Sequence, residues 1–93
     1  MSYLFEGLDI VNININNWDV SSVTNMEGMF KDCNYFIVSY HNKNALGKWD
    51  VHNVKDMSFM FYNCHNFSGD GLKFWDVSSV KNMYGMFEYC YQL

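Results

Sequence analysis

Apolar residues in this chain recur at fixed positions in three long copies of one pattern. The stretch WDVSSVTNMEGMFKDCNYF begins at Trp18, and it returns as WDVHNVKDMSFMFYNCHNF from Trp49 and as WDVSSVKNMYGMFEYCYQL from Trp75. A partial copy opens the chain, and its apolar residues fall on the same positions: Met1, Leu4, Phe5, Leu8 and Val11. Each shared position forms a column of the repeat. Columns that keep one residue type across the copies indicate a repeat architecture.

The spacing of the methionine column sets the organisation of the chain. The separations are 25 residues from Met1 to Met26, 31 from Met26 to Met57 and 26 from Met57 to Met83. Such a period, with fixed apolar columns, is typical of solenoids, whose coils stack and bury one another's apolar faces. The pattern predicts one repeat domain over residues 1–93, with coils at 1–25, 26–56 and 57–82 and a partial coil at 83–93, about 3.5 coils in all.

Within each coil, the apolar spacing predicts short strands and one helical turn. In NININN, Ile13 and Ile15 alternate with asparagine, which favours a half-buried strand that runs into the next tryptophan. A second short extended piece follows the corner at WDVSS. Met29, Phe30 and Cys33 then have the spacing of one apolar face of a helical turn. We therefore expect parallel strands joined by corners, with a helical turn in every coil.

The motif WDVSSVxNMxxMFxxC, followed by an aromatic residue or leucine, resembles the repeat of BspA-type leucine-rich-repeat surface proteins. The resemblance covers essentially the whole chain, and it implies a right-handed, leucine-rich-repeat-like solenoid of short parallel β-strands with one helical turn per repeat. It also implies a cell-surface or secreted protein that acts in adhesion or protein binding. The connection at 37–48 is longer than that repeat usually allows, and no signal peptide or anchor is recognisable in the sequence.

Charge and composition argue against two classes of function. The 93-residue chain has a formal net charge of −4 and lacks the basic runs that nucleic-acid binding needs. No apolar run approaches the roughly 20 residues of a membrane-spanning helix, so no membrane insertion is predicted. Abundant Asn, Lys, Ile and Phe, without Arg or Pro, are typical of a protein from an AT-rich genome.

The tryptophan column is identical in the three complete copies: Trp18, Trp49 and Trp75. Tryptophan combines a large apolar surface with one N–H donor that needs a partner when it is buried. We therefore expect the three indoles to line one edge of the core. The alternative is an exposed platform on which a ligand stacks.

Two further columns carry short polar side chains that bond backbone groups well. One follows the tryptophans and holds Asp19, Asp50 and Asp76, and the other precedes the methionines and holds Asn25, Asp56 and Asn82. We expect the first column to cap the corners and the second to bond backbone groups of its own and the neighbouring coil. Stacked carboxylates also suggest a calcium ladder, but the Gly-rich and Asp-rich turns of such arrays are missing.

The cysteine column holds Cys33, Cys64 and Cys90, with Leu8 in the partial copy. A position that accepts Cys or Leu is typical of an apolar core, where a free thiol packs as a hydrophobic group. Neighbouring coils are close enough for one adjacent pair to oxidise, and the odd count leaves one thiol over. Columns present ligands in a line, which argues against zinc, and no oxyanion hole accompanies a cysteine nucleophile. We expect no cofactor, no metal and no enzymatic activity.

The longest connection offers candidate contacts for a protein partner: Tyr40, His41, Asn42, Lys43 and Asn44. An aromatic ring, an imidazole and amide groups on a loop are typical of an adaptable contact surface. The alternative is a tolerated insertion without a partner.

The apolar residues of the first and last copies offer a different kind of contact. They are Met1, Leu4 and Phe5 at one end, and Met83, Met86 and Phe87 at the other. Uncapped faces of a repeat stack tend to associate. The chain is therefore expected to be a non-catalytic module for protein–protein interaction or adhesion. The alternative is a structural unit that assembles with itself through its ends, head to tail or as a two-fold oligomer.

Overall fold

Turns account for about half of the described backbone of this chain. The computed structural model describes residues 1–8, 15, 18–33, 45–67, 69 and 71–91. Two short 3₁₀ helices, Ala45–Lys48 and Leu72–Phe74, each end just before a tryptophan. Over the described residues there is no β-strand and no α-helix, and the bridges are isolated parallel pairs that join Asn25 to Asp56 and Asp56 to Asn82.

The predicted fold class, a right-handed solenoid of short parallel β-strands with one helical turn per repeat, is therefore wrong. Each bridge involves one residue per coil, so no strand extends from it. Of the expected strand residues, Ile13 lies outside the described part and Ile15 is buried without belonging to a strand. The spacing that predicted a helical turn belongs to two successive tight turns. A helix and a pair of turns both place apolar residues three and then one position apart.

Each copy forms a double-turn segment, at residues 1–8, 26–33, 57–64 and 83–90. In residues 26–33 the Met29 amide donates to the Met26 carbonyl at 3.2 Å, and the Cys33 amide donates to the Phe30 carbonyl at 3.1 Å. The same two bonds recur in residues 57–64 and 83–90. The residues that open and close these turns carry the apolar columns, and the two residues between them form the outer corners.

In both turns of each double-turn segment, the third residue has a positive φ, which a right-handed helix does not allow. In the first turns these residues are Tyr3 (56°), Gly28 (61°), Phe59 (56°) and Gly85 (66°), and in the second turns they are Gly7 (74°), Asp32 (60°), Asn63 (60°) and Tyr89 (64°). The left-handed residue closes each turn and stops the chain from continuing as a helix. The remaining amides are then free to bond the neighbouring segment.

A backbone ladder holds successive double-turn segments in register. Residues 1–8 donate to the next coil from Tyr3, Phe5 and Gly7 to the carbonyls of Glu27, Met29 and Lys31. Residues 26–33 donate from Met26, Gly28, Phe30 and Asp32 to Asp56, Ser58, Met60 and Tyr62. Residues 57–64 donate from Met57, Phe59, Phe61 and Asn63 to Asn82, Tyr84, Met86 and Glu88. All these N···O distances lie between 2.8 and 3.0 Å. Each segment thus donates to its successor through alternate amides.

A column of phenylalanines forms the centre of the core. The ring of Phe30 lies between those of Phe5 and Phe61, at centroid distances of 5.5 and 5.4 Å, and Phe87 stacks on Phe61 at 5.8 Å. The interplanar angles are 8°, 11° and 2°, so the rings are nearly parallel. Phe67 adds a second ring against Phe61 at 4.3 Å. The core is therefore continuous through all four double-turn segments.

Candidate functional site

The tryptophan column lies beside the phenylalanine stack. Trp49 is 3 % exposed, and Trp18 and Trp75 are half-buried. The ring contacts pair each indole with a phenylalanine of the preceding segment: Trp18 with Phe5 at 5.4 Å, Trp49 with Phe30 at 6.0 Å and Trp75 with Phe61 at 6.3 Å. The indole N–H of Trp49 donates to the Ile15 carbonyl at 2.9 Å, and that of Trp75 donates to the Leu46 carbonyl at 2.6 Å. All three indoles therefore pack on a neighbouring segment, and those of Trp49 and Trp75 also form hydrogen bonds to another coil.

The aspartate column makes its hydrogen bonds inside its own corners. The Oδ1 acceptors and their donors are Asp19 with the amide and hydroxyl of Ser21 (3.0 and 2.6 Å), Asp50 with the amide and ring of His52 (3.2 and 2.5 Å), and Asp76 with the amide of Ser78 (3.0 Å). Hydrogen bonds from the residue two positions on lower the pKa of all three carboxyls. All three aspartates are exposed. One oxygen of each carboxylate, Oδ1, is therefore engaged by the chain's own turn.

The second polar column also bonds locally. Its Oδ1 atoms accept from the amide two residues on: Asn25 from Glu27 (2.9 Å), Asp56 from Ser58 (2.9 Å) and Asn82 from Tyr84 (3.0 Å). Asn25 and Asn82 are exposed and Asp56 is half-buried. The link to the neighbouring coil is made by the backbone at these residues rather than by their side chains.

The cysteine column forms a ladder of thiol hydrogen bonds. Each Sγ lies close to the carbonyl of the phenylalanine in the preceding segment: Cys33 to Phe5 at 2.9 Å, Cys64 to Phe30 at 2.8 Å and Cys90 to Phe61 at 2.9 Å. The three cysteines, all among the described residues, form no disulfide, and Cys33 and Cys64 are buried. Burial raises the pKa of the Cys64 and Cys90 thiols, so both stay protonated near neutral pH. A neutral thiol donates a hydrogen bond and is a poor nucleophile.

The two predicted contact regions fare differently. The loop contacts Tyr40, His41, Asn42, Lys43 and Asn44 lie outside the described residues, so that prediction stays open. The predicted end residues are described: Met1, Leu4, Met83 and Phe87 are 41, 48, 44 and 39 % exposed, whereas Phe5 and Met86 are 7 and 5 % exposed. Each end therefore combines exposed and buried members of the same apolar columns.

A connected group of aromatic rings lies on the outside of the last two double-turn segments. We name it the outer aromatic surface, and its members are Phe59, Tyr62, Tyr84, Tyr89 and Tyr91. Their centroid distances are 5.5 Å for Tyr84 and Phe59, 5.6 Å for Phe59 and Tyr62, 5.5 Å for Tyr62 and Tyr89, and 6.4 Å for Tyr89 and Tyr91. Interplanar angles of 64° to 81° make every contact edge-to-face. Ring edges alternate with ring faces across the surface.

The turns themselves place these rings outside the core. Phe59, Tyr62, Tyr84 and Tyr89 occupy the outer corners of the double turns, between the apolar residues that open and close them. Tyr84, Tyr89 and Tyr91 are 72, 47 and 70 % exposed. The backbone ladder fixes the corners of adjacent segments side by side. The aromatic surface is thus held by rigid turns rather than by a loop.

Charges at the edge of this surface are few and mixed. The Lys31 ammonium lies 5.8 Å from the centroid of the Tyr62 ring, within cation–π range. Desolvation raises the pKa of Tyr62, and the neighbouring Tyr89 and Glu88 add to the shift. The Tyr62 phenol is therefore neutral across the physiological range and offers a hydroxyl that donates and accepts.

The sequence analysis missed this surface, although a signal was present. Tyr84 and Tyr89 stand in columns where the second copy has Glu27 and Asp32. Aromatic residues at corner positions that are charged in another copy are not needed for the turn or for the core. Tyrosines in place of charged residues at these corners are therefore the signal in the sequence for exposed rings.

Two kinds of feature are absent from the described residues. No group of three or more His, Cys, Asp or Glu side chains within them is arranged to hold a metal ion. Among the same residues, no helix has both the length and the apolar character to span a membrane. The exposed rings and phenol hydroxyls are suited to contact with another molecule.

Comparison with known proteins identifies a family without a defined activity. No curated protein and no solved structure matches the chain. A family model described as "Mycoplasma protein of unknown function, DUF285" matches residues 34–93, which is more than half of the chain. The chain therefore belongs to this DUF285 family, a repeat family related to BspA-like surface proteins.

Proposed function

We propose that this chain is a non-catalytic binding module that contacts a protein partner through the outer aromatic surface. The observation that carries the proposal is that three exposed rings, Tyr84, Tyr89 and Tyr91, are connected through the half-buried rings of Phe59 and Tyr62. Tyr84 and Tyr91 each expose at least 70 % of their surface, whereas Phe30 and Phe61 in the centre of the phenylalanine column are 0 % exposed. Exposed aromatic clusters of this kind mark interaction sites.

The chemistry of tyrosine supports a protein as the partner. Tyrosine supplies a large rigid contact area, loses little side-chain entropy on binding, and adds a hydroxyl for hydrogen bonds at the rim. The edge-to-face packing already orders Tyr62 and Tyr89 before a partner arrives. Preorganised rings lower the entropic cost of association.

The thiols and polar columns support binding rather than catalysis. The only cysteines are engaged with carbonyls of the preceding coil, and burial raises the pKa of Cys64 and Cys90. The oxygens of Asp19 and Asp50 accept hydrogen bonds from their own corners. None of these groups is poised to attack a substrate.

The repeats are further proposed to be BspA-type repeats, with the surface location and adhesive role that this family resemblance implies. The motif WDVSSVxNMxxMFxxC supports the assignment, and the family match is consistent with it. Adhesion at a cell surface would use the same exposed rings.

The experiment selects binders from a displayed random-peptide library and asks where they attach. Selected peptides are measured against the chain, against a Tyr84→Ser, Tyr91→Ser variant and against a Glu27→Ser variant. The control changes the same corner column as Tyr84 but lies in residues 26–33. We expect the tyrosine variant to weaken binding at least about tenfold, since each ring is worth 1 kcal/mol or more at a contact centre, and the control to have no effect. Peptides that bind all three proteins equally would overturn the assignment of the site.

A further inference from the structure

The two ends of the stack expose complementary rows of backbone groups. In residues 83–90 the amides of Met83, Gly85, Phe87 and Tyr89 occupy the donor positions of the ladder, and they have no acceptor within the described chain. In residues 1–8 the carbonyls of Ser2, Leu4 and Glu6 occupy the acceptor positions, and they receive no donor there. One end therefore lacks acceptors and the other lacks donors.

We propose that a second copy of this chain docks head to tail and continues the ladder across the junction. Gly85 donates to Ser2, Phe87 to Leu4 and Tyr89 to Glu6 of the next copy. These are the same column pairs that join residues 57–64 to 83–90, where Phe59, Phe61 and Asn63 are the donors. This inference goes beyond the proposed binding function and concerns the backbone groups at the two ends of the stack.

The side-chain columns fit this register. The third residue of each double-turn segment forms the third column of the stack. In this column an aromatic ring of one segment covers a glycine of the next: Tyr3 lies over Gly28, and Phe59 over Gly85. A Cβ at either glycine would lie within 2.8 Å of the ring, so the column requires aromatic residues and glycines to alternate. In the docked pair, Gly85 of one copy lies next to Tyr3 of the following copy, just as Gly28 lies next to Phe59 in this column within one chain. The alternation continues across the junction.

The exposed apolar residues of the two ends belong to the same columns. Met83 is 44 % exposed at one end, and Met1, which occupies the same column, is 41 % exposed at the other. In the two middle segments the residues of this column, Met26 and Met57, are 0 % exposed. Docking would bring Met83 against Met1, and it would cover exposed surface of Phe87 and Leu4. The hydrophobic contact therefore adds to the hydrogen bonds.

The direction of the ladder argues against two-fold pairing. Two rows of N–H groups, or two rows of carbonyls, have no hydrogen bonds to exchange. A donor row pairs only with an acceptor row, so the contact is heterologous. Such contacts leave one free row at each end of a dimer and extend to an open series.

One charged column opposes the contact. Glu6 lies 3.5 Å from Lys31 of the next segment, which shows that neighbours in this column reach one another. At the junction Glu88 of one copy meets Glu6 of the next, so two like charges become neighbours. Association should therefore strengthen as salt screens the repulsion.

The test is sedimentation of the 93-residue chain over about a hundredfold concentration range, at about 20 mM and 500 mM salt. We expect a mass that rises continuously with concentration and rises further with salt. The Leu4→Lys variant should lower the association constant at least about tenfold, because it places a charge in the apolar junction. The Glu88→Lys variant should raise the association constant about fivefold at low salt, because it replaces repulsion by attraction.

A Ser22→Lys variant serves as the matched control, since it adds the same charge to an exposed corner residue outside residues 1–8 and 83–90. It should leave the association constant unchanged. Circular dichroism confirms that each variant is folded. A chain that stays monomeric throughout, a closed dimer, or equal effects of Leu4→Lys and Ser22→Lys would each overturn the head-to-tail contact.

Discussion

The middle and the ends of the stack use the same columns and bury them very differently. Phe30 and Phe61, in the two middle segments, are 0 % exposed, whereas Phe87 in the last segment is 39 % exposed. In the methionine column Met26 and Met57 are 0 % exposed, and the end residues Met1 and Met83 are 41 and 44 % exposed. The exposed members of these columns lack a neighbouring segment on one side, although two end residues, Phe5 and Met86, are only 7 and 5 % exposed. Burial in this fold comes from stacking rather than from the local sequence.

The local turns do not share this difference. The turn that ends at Leu8 closes on the Phe5 carbonyl at 3.1 Å, and the turn that ends at Cys90 closes on Phe87 at the same distance. These end segments therefore keep the geometry of the middle ones. The comparison separates two kinds of stability, one made within a segment and one made between segments.

The largest expected effect comes from the phenylalanine column. Phe61→Ala should lower the free energy of unfolding by about 3–5 kcal/mol, because it leaves a cavity between coils that pack on both sides of the ring. Phe87→Ala should cost about 1–2 kcal/mol, since this ring is already 39 % exposed. Urea denaturation followed by fluorescence measures both. Equal losses at the two positions would break the distinction between middle and end.

A smaller effect is expected at the glycines with a positive φ. A Cβ at Gly28 would lie 2.3 Å from Cε1 of Tyr3, whereas nothing lies within 4 Å of a Cβ at Gly7. Gly28→Ala should cost about 2 kcal/mol and Gly7→Ala about 1 kcal/mol, because both pay for left-handed backbone and only the first displaces a ring.

A double-mutant cycle isolates the contact between the neighbouring segments. In a Tyr3→Ala background the two glycine substitutions should cost the same, as judged by their urea midpoints. A difference that survives removal of the Tyr3 ring would mean that the third column is not set by stacking.

The smallest effect is expected at the corner aspartates, and it should not depend on position in the stack. Hydrogen bonds from Ser21 and Ser78 lower the pKa of Asp19 and Asp76 below the usual value of 3.8. Their contribution to stability is therefore present above about pH 4 and is lost as the pH falls through the lowered pKa. The urea midpoint is measured at several values between about pH 6 and pH 2. The Asp19→Ala and Asp76→Ala variants should each show a weaker pH dependence of this midpoint than the original chain, and by the same amount. Clearly different effects of the two substitutions would show that the hydrogen bonds at the corners depend on position in the stack.

The sequence predicted the columns well because repetition reveals which positions share an environment. Cys64 and Met57, for example, are as buried as their columns indicate. The element type could not be predicted, because residues Met26, Met29, Phe30 and Cys33 have the apolar spacing of a helix face as well as that of two turns. The decisive feature is the left-handed residue in each turn, which glycine marks at Gly28 but which Phe59 and Asn63 also adopt.

The outer aromatic surface, unlike the core, was not predicted from the sequence. The polar corners of each turn accept many residue types, so Tyr84 and Tyr89 stood out only by comparison with Glu27 and Asp32. Their mutual contacts, such as Tyr62 with Tyr89 at 5.5 Å, depend on which segments are neighbours. That adjacency follows from the backbone ladder and not from residue spacing alone.

The central claim is that alternate amides of each double-turn segment bond the next segment, and amide hydrogen exchange tests it most directly. At low protein concentration, where copies do not dock, the amides of Phe30 and Phe61 should be strongly protected and the amide of Phe87 should exchange freely. These three amides occupy the same column, and those of Phe30 and Phe61 have an acceptor within 3.0 Å whereas that of Phe87 has none among the described residues. Strong protection of Phe87 under these conditions, or free exchange at Phe61, would contradict the ladder.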